Sequence, residues 1–251
     1  MCKEIICLGA VFLALTIGSA AQAALVAQYT FDEGSGDTAS DSAGGYDGTV
    51  VGATWTTGKF GGALDFGGVG HVELPPSVLS TVDAEMTIAF WQYGHDDMSE
   101  ERGAPFWTDF SNSDVIYIYL PIQKTGQQVY FKRTPDLVQA PAVDEAELEG
   151  VWSHWAFTKN AGTGEMKIYK DGSILVEDTG LTTPIGGTDA IAVWIGMRCT
   201  TETFAFRGLM DDFRIYDQEL AQEEIMALVP EPATIALVGV GAGLALLRRK
   251  R

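Results

Sequence analysis

The middle of the chain alternates. From Ala24 to about Tyr216, short runs with apolar residues at every second position are broken by clusters of Gly, Asp and Asn. A period of two places successive side chains on opposite faces of a strand. Many such strands with regular turn signals predict an all-β sandwich. The runs predict strands at 26–31, 63–66, 72–74, 86–93, 115–120, 128–132, 153–159, 166–170, 174–177, 190–197 and 209–216. Lys170-Asp171-Gly172 sits between two of them and marks a tight hairpin, because Gly accepts positive φ. Residues 160–164 mark a second turn. The period changes once: Leu220, Ile225, Met226 and Leu228, with acids at Glu219, Glu223 and Glu224, predict one short helix over 218–228. Asp217 is its expected N-cap and Pro230 its stop. No internal repeat is visible.

Both ends break the pattern. After Lys3, residues 5–17 are apolar, and Ala21-Gln22-Ala23 is a small-x-small site. Charge, apolar core and small residues in that order predict a secretory signal helix over residues 1–23, cleaved after Ala23. At the other end, Pro230-Glu231-Pro232 precedes an apolar stretch of 15 residues, 233–247, and then Arg248-Arg249-Lys250-Arg251. As a helix that stretch is about 22 Å long, short for a hydrocarbon core of about 30 Å. The basic cluster would hold the terminus on the cytoplasmic side. The triplet, the short apolar span and the Arg-rich end together resemble the PEP-CTERM signal of bacterial exosortase substrates. The resemblance implies an exosortase-type sorting enzyme as partner. It also implies export to the cell surface, outer envelope or exopolysaccharide matrix, with a C-terminal transmembrane sorting helix over 229–251. The membrane is then met only through the terminal segments, and residues 24–228 form the domain between them.

Charge narrows the partners. The chain has 16 basic and 34 acidic residues; the terminal segments hold five and two of them, leaving 11 and 32 and a net charge of −21 in the domain. Such a field repels phosphate backbones, so nucleic acid is excluded as a partner. Cys2 and Cys7 lie in the signal segment. Cys199 alone remains, forms no intrachain disulfide and reads as a buried small hydrophobe.

Several segments of the domain resemble the laminin-G-like (LamG, concanavalin A-like) jelly roll. They are Leu25-Val26-Ala27-Gln28-Tyr29 with the acidic loop Asp32-Glu33-Gly34-Ser35-Gly36, then Asp41-Ser42-Ala43-Gly44, then Gly61-Gly62-Ala63-Leu64-Asp65-Phe66. They continue with Met86-Thr87-Ile88-Ala89-Phe90-Trp91, Trp152-Ser153-His154-Trp155 and Met210-Asp211-Asp212-Phe213-Arg214-Ile215-Tyr216. The blocks fall in family order across nearly the whole domain. They imply a concanavalin A-like β-sandwich with its opening and closing strands side by side, and say much less about a ligand.

Three sets of residues carry candidate chemistry. Asp32, Asp41, Asp211 and Asp212 would converge where the resemblance places the first and last strands together. Carboxylates on Gly-rich loops suit Ca²⁺, which takes six to eight oxygens; the alternative is a solvated acidic rim serving turns. Phe106 and Trp107 follow a polar loop and form the expected platform for stacking a sugar, with His95 as a further ligand contact; the alternative for Trp107 is one more core residue. Of the other tryptophans, Trp91, Trp155 and Trp194 are expected in the core. Glu145, Glu147 and Glu149 would share one face of a strand, as do the catalytic carboxylates of sandwich-fold glucanases. Pro141 and the absence of β-branched alternation make this stretch an acidic surface loop instead. The composite expectation is a secreted, non-enzymatic binding module for extracellular polysaccharide. A structural matrix protein without a specific ligand and a glycan-cleaving enzyme are the alternatives.

Overall fold

Hydrogen bonding of the alternating runs builds two antiparallel sheets. The computed structural model describes residues 23–98, 102–120, 129–199 and 204–230. The expected signal helix and sorting helix lie outside the described residues, apart from residue 23 and residues 229–230. In chain order the strands are β1 (Leu25–Tyr29), β2 (Thr38–Ala39), β3 (Gly48–Val51), β4 (Thr54–Thr57), β5 (Gly62–Asp65), β6 (His71–Leu74), β7 (Glu85–Gly94) and β8 (Phe106–Phe110). They continue with β9 (Val115–Tyr119), β10 (Tyr130–Arg133), β11 (Asp136–Gln139), β12 (Trp152–Asn160), β13 (Glu165–Lys170), β14 (Ser173–Asp178), β15 (Ala190–Ile195) and β16 (Gly208–Tyr216). The first sheet runs β14-β13-β12-β7-β16-β5-β4, with β1 also on β16; the second runs β11-β10-β9-β8-β15-β6-β3-β2. The all-β sandwich read from the period is therefore the fold, and the opening strand does lie on the closing one.

Each expected strand has a counterpart, but β2, β3, β4, β8 and β11 were not anticipated. β8 shows why. Its residues Phe106, Trp107 and Thr108 are all buried, because both faces of the strand are covered, and a strand covered on both faces loses its alternation. The two turns form as read. Asp171 and Gly172 both take positive φ, 49° and 78°, which the two-residue hairpin between β13 and β14 requires. Asn160 Oδ1 accepts the Gly162 and Thr163 N–H groups in the turn before β13.

The single helix is shorter than expected: α1 spans Gln222–Ala227. Asp217 is not its cap. Its carboxylate accepts the Ala24 N–H at 3.0 Å, while its own N–H donates to the Ala24 carbonyl. That tie fixes the start of β1 instead. Glu224 closes the helix start by accepting the Ala221 N–H at 2.8 Å. α1 packs Ile225, and the segment before it Leu220, against Ala89, Ala156 and Tyr169, on the outer side of the first sheet.

The core between the sheets is aromatic. Phe90 stacks on Phe157 at 6.0 Å and on Phe213 at 5.5 Å, and Phe106 crosses from the second sheet to stack on Phe213 at 6.0 Å. A buried ion pair enters this layer. Lys159 on β12 is fully buried and donates to Asp136 on β11 at 2.8 Å and to the Leu181 carbonyl at 2.8 Å. A buried ammonium needs both partners, and the pair ties the two sheets together.

Candidate functional site

The second sheet has an outward face, and its register gathers aromatic residues there. Strand pairing sets Glu73 of β6, Trp194 of β15, Trp107 of β8, Tyr117 of β9 and Lys132 of β10 side by side in one row. The next row holds Tyr119 opposite Tyr130. Neighbouring cross-strand side chains are about 5 Å apart, so rings in such rows touch. Trp107 and Tyr117 stack at 4.7 Å with 11° between planes, and Tyr117 meets Tyr119 at 4.5 Å. Trp194 stacks on His71 at 4.1 Å. Trp107 is the buried floor, 3% exposed, while Tyr117, Tyr130, Trp194 and Phe204 are half-buried around it.

Three cations lie over these rings. Arg198 sits 4.9 Å from the Trp107 ring centre, Lys132 5.8 Å from Tyr117, and Arg102 5.9 Å from Tyr119. Arg102 and Arg198 also flank Phe204, at 5.7 and 5.8 Å. The two arginines come from the segments entering β8 and leaving β15. These strands are antiparallel neighbours, so both side chains reach the same end of the face. Burial pushes the Tyr119 hydroxyl up to about 12, reinforced by Tyr117 and opposed by the two arginines. Asp109 accepts the Trp107 Nε1–H at 2.7 Å from the other side. Cys199 is buried beneath, its Sγ donating to the Trp107 carbonyl at 3.4 Å, and burial pushes its thiol up. The structure thus gives it the small-hydrophobe environment expected of it.

The expected ligand residues separate. Trp107 belongs to this face. Phe106 does not: it is 0% exposed in the core, because adjacent residues of a strand point to opposite faces. His95 is held against Asp65, 3.2 Å from its carboxylate, and is not among the rings around Trp107. Trp194, expected in the core, faces outward; Val193 and Ile195 on either side take the inward positions. Sequence reasoning missed Tyr117, Tyr119 and Tyr130. The signal available was the outward set of 115–120, Tyr117 and Tyr119, one residue out of phase with the inward Ile116 and Ile118.

The four aspartates form a different kind of region. Asp32 accepts the Gly62 N–H at 2.6 Å, and Asp211 accepts the Phe60 N–H at 2.8 Å. Together they hold the turn from Gly58 to Gly62 between β4 and β5, where Gly61 takes φ 90° against the Asp32 carboxylate. Asp41 accepts four N–H groups, from Gln28 at 2.8 Å and from Ala43, Gly44 and Tyr46 at 2.9 Å. Asp212 chelates Arg214 at 2.9 and 2.7 Å and accepts Gln28 Nε2 at 2.8 Å. Asp32, Asp211 and Asp212 do line one cleft of about 320 Å³ with Gln28, Phe60 and Arg214, but Asp41 does not. Among the described residues no group of three or more His, Cys, Asp or Glu is placed to hold a metal. Asp41 and Asp212 have both carboxylate oxygens engaged within the chain, whereas Asp32 and Asp211 have one each so engaged. The four aspartates expected to converge therefore divide, with Asp32, Asp211 and Asp212 sharing the cleft and Asp41 holding its own loop.

The Glu145, Glu147, Glu149 run forms no strand face either. Glu145–Glu147 is a single 3-10 turn capped by Asp144, and Glu147 reaches Lys170 at 3.1 Å. The acidic surface loop read from Pro141 is what the structure contains.

Fold and face together define a concanavalin A-like β-sandwich with an aromatic outer sheet. The profile of the concanavalin A-like lectin/glucanases superfamily matches residues 66–226, and the chain belongs to that superfamily. A PEP-CTERM protein-sorting motif matches residues 228–251, which marks the protein for exosortase-sorted export to the envelope. No match was found among curated proteins. Among solved structures, domain 4 of AbnA, an extracellular GH43 arabinanase from Geobacillus stearothermophilus solved in complex with arabinotriose, superposes with a TM-score of 0.65 at 21% identity. That match covers 83% of this chain and 99% of that one. The Trypanosoma rangeli sialidase gives 0.60 at 16% identity, over 82% of this chain and 32% of its own. The botulinum neurotoxin serotype G binding domain gives 0.58 at 14%, over 82% of this chain and half of its own. At these identities the likeness is one of fold. Among the described residues no helix is long and apolar enough to cross a membrane.

Proposed function

We propose that the protein is an exported, non-catalytic carbohydrate-binding module and that it binds through the outer face of the second sheet. Half-buried Trp194 and Tyr117, set on either side of the buried Trp107, carry this reading. Aromatic faces cover the apolar C–H face of a pyranose, and half-buried rings already fixed by cross-strand stacking lose little freedom on binding. A domain of the same fold solved with arabinotriose supports the ligand class. The non-catalytic part is supported by the placement of the one candidate run of carboxylates on an exposed turn, since glycoside hydrolysis needs two carboxyl groups facing one bond.

Export at the N-terminus belongs to the same reading. The Ala24 N–H already faces the Asp217 carboxylate at 3.0 Å. Cleavage after Ala23 would turn that N–H into an ammonium opposite a carboxylate and leave β1 in place.

The test is a glycan array with the protein and its Tyr117→Ala and Trp194→Ala variants. Binding to at least one glycan is expected, weakened about tenfold or more in each variant, a loss of about 1.4 kcal/mol, which lies within the range of about 1–3 kcal/mol that stacking of a nucleobase on an aromatic ring contributes. Melting curves should show both variants folded. Unchanged binding in both variants would remove this face as the site. Binding to no glycan would favour a structural matrix protein, and release of reducing ends from a bound glycan would favour an enzyme.

A further inference from the structure

We propose that the face takes an acidic polysaccharide, one whose sugar rings carry carboxylates. The inference rests on the carbohydrate-binding reading and specifies the ligand. It starts from scarcity. The domain has 11 basic against 32 acidic residues, so a cation without a carboxylate partner is uncommon in it. Arg133, Lys159, Lys167, Lys170, Arg207 and Arg214 all pair with carboxylates at 2.6–3.1 Å. Among the described residues Lys59, Arg102, Lys132 and Arg198 do not: their charged ends lie over aromatic rings, Lys59 over Trp91 of the first sheet and the other three on this face. Three such cations on one face of a domain with net charge −21 make a local inversion of sign.

The arginines have the geometry for a carboxylate. A guanidinium presents a planar fork of donors that matches a carboxylate bidentately, and stacking on a ring leaves the fork's edge available. Arg198 Nε is buried with no hydrogen-bond partner. A buried donor left unmade is costly, and an anionic ligand oxygen satisfies it. The acids near the face are elsewhere engaged: Asp109 takes the Trp107 Nε1–H, and Glu73 lies 3.2 Å from His71. Glu73 lies at the β6 side of the face and Asp109 on β8 beside Trp107, while the cations stand at Phe204 and on β10. Successive sugar rings would stack on Tyr117 and Trp194, which stand two strands apart, and a uronate carboxylate would be directed to Arg198 and Arg102. Nucleic acid shares the negative charge but meets the repulsion of the whole domain.

The test uses the full chain in detergent against immobilised polygalacturonate, alginate and hyaluronate. Each is run beside its methyl ester, and dextran sulfate serves as a polyanion without carboxylates. At least one acid polymer should bind, and esterification should weaken it about tenfold or more. Arg198→Gln and Arg102→Gln should each weaken the acid about tenfold and leave the ester unchanged, whereas Tyr117→Ala should weaken both forms. Arg198→Lys, which keeps charge but not the fork, should fall between. Equal binding of acid and ester, with Tyr117→Ala still weakening both, overturns the acidic ligand and leaves the carbohydrate reading standing. Equal competition by dextran sulfate overturns it as mere charge. Failure of every polymer, acid or ester, overturns the acidic ligand, and the glycan array then decides whether the face binds carbohydrate at all.

Discussion

The two outer faces of this sandwich are both rich in aromatics and charges, yet they are built differently. On the first sheet, α1 covers one end and the turn at Gly58–Gly62 covers the other, where Phe60 meets Trp91 at 5.6 Å and Lys59 lies 4.6 Å from its ring. Its acids, Asp211 and Asp212, are engaged by backbone N–H groups and by Arg214. On the second sheet the rings of Tyr117, Tyr130 and Trp194 stay half-exposed, and the cations near them rest on rings. Charges whose partners lie within the chain hold the fold together. Arg102, Lys132 and Arg198 instead lie over rings of the second sheet, as Lys59 alone does on the first among the described residues. The difference separates structural carboxylates from a candidate binding face, although in the sequence both are polar residues beside aromatics.

The comparison breaks first at Asp41. Hydrogen bonds to a charged group contribute about 1.5–3 kcal/mol each and are not additive. Asp41→Ala removes four of them, so urea denaturation should show a loss of about 3 kcal/mol or more. A loss under about 1 kcal/mol would mean that the loop re-pairs with water and that Asp41 is a solvated rim residue.

Asp211 sharpens it through pH. Burial raises its carboxyl to about 6 from 3.8, helped by the nearby Asp212 and Asp32 charges and opposed by the Phe60 and Lys59 N–H groups. The folded state then holds a proton that the unfolded state releases between about pH 4 and pH 6. Stability from this group is fully present below pH 4 and lost as pH rises through 6, by about 1–3 kcal/mol. Urea midpoints at pH 4, 5, 6 and 7 should show that downward trend, and Asp211→Asn should flatten it. A trend of equal slope in the variant would assign it to other groups.

The smallest expected effect concerns metal. Each of the four aspartates already accepts hydrogen bonds within the chain, so EDTA should leave the melting temperature unmoved within about 1 °C. A fall of several degrees that added Ca²⁺ restores would mean that the Asp32, Asp211 and Asp212 cleft rearranges around a cation. At a hundredfold excess over Kd such a cation stabilises by about 2.7 kcal/mol.

Much of the fold was legible in local pattern. Ile116 and Ile118 alternate with Tyr117 and Tyr119, and the alternation gives a strand whatever surrounds it. Asp171-Gly172 gives a hairpin because only certain residues take positive φ twice in succession. The site was less legible. Phe106 and Trp107 are adjacent, and the sequence does not say which faces inward. Phe213 of the opposite sheet decides that by claiming Phe106. Asp211 and Phe60 are 151 positions apart, so no reading of either segment shows that the carboxylate serves the turn.

The sequence by itself determined the β class, the tight turns, the negative field of the domain and the sorting motif at residues 228–251, because each depends on residues close together or on composition alone. Only the tertiary structure decided that Trp194, Trp107, Tyr117 and Lys132, drawn from four strands, form one row. It also decided that Asp32, Asp41, Asp211 and Asp212 serve the chain's own backbone and Arg214. The physical reason is register. Hydrogen bonding between strands sets which residues stand opposite one another, and a shift of one position would send every ring to the other face.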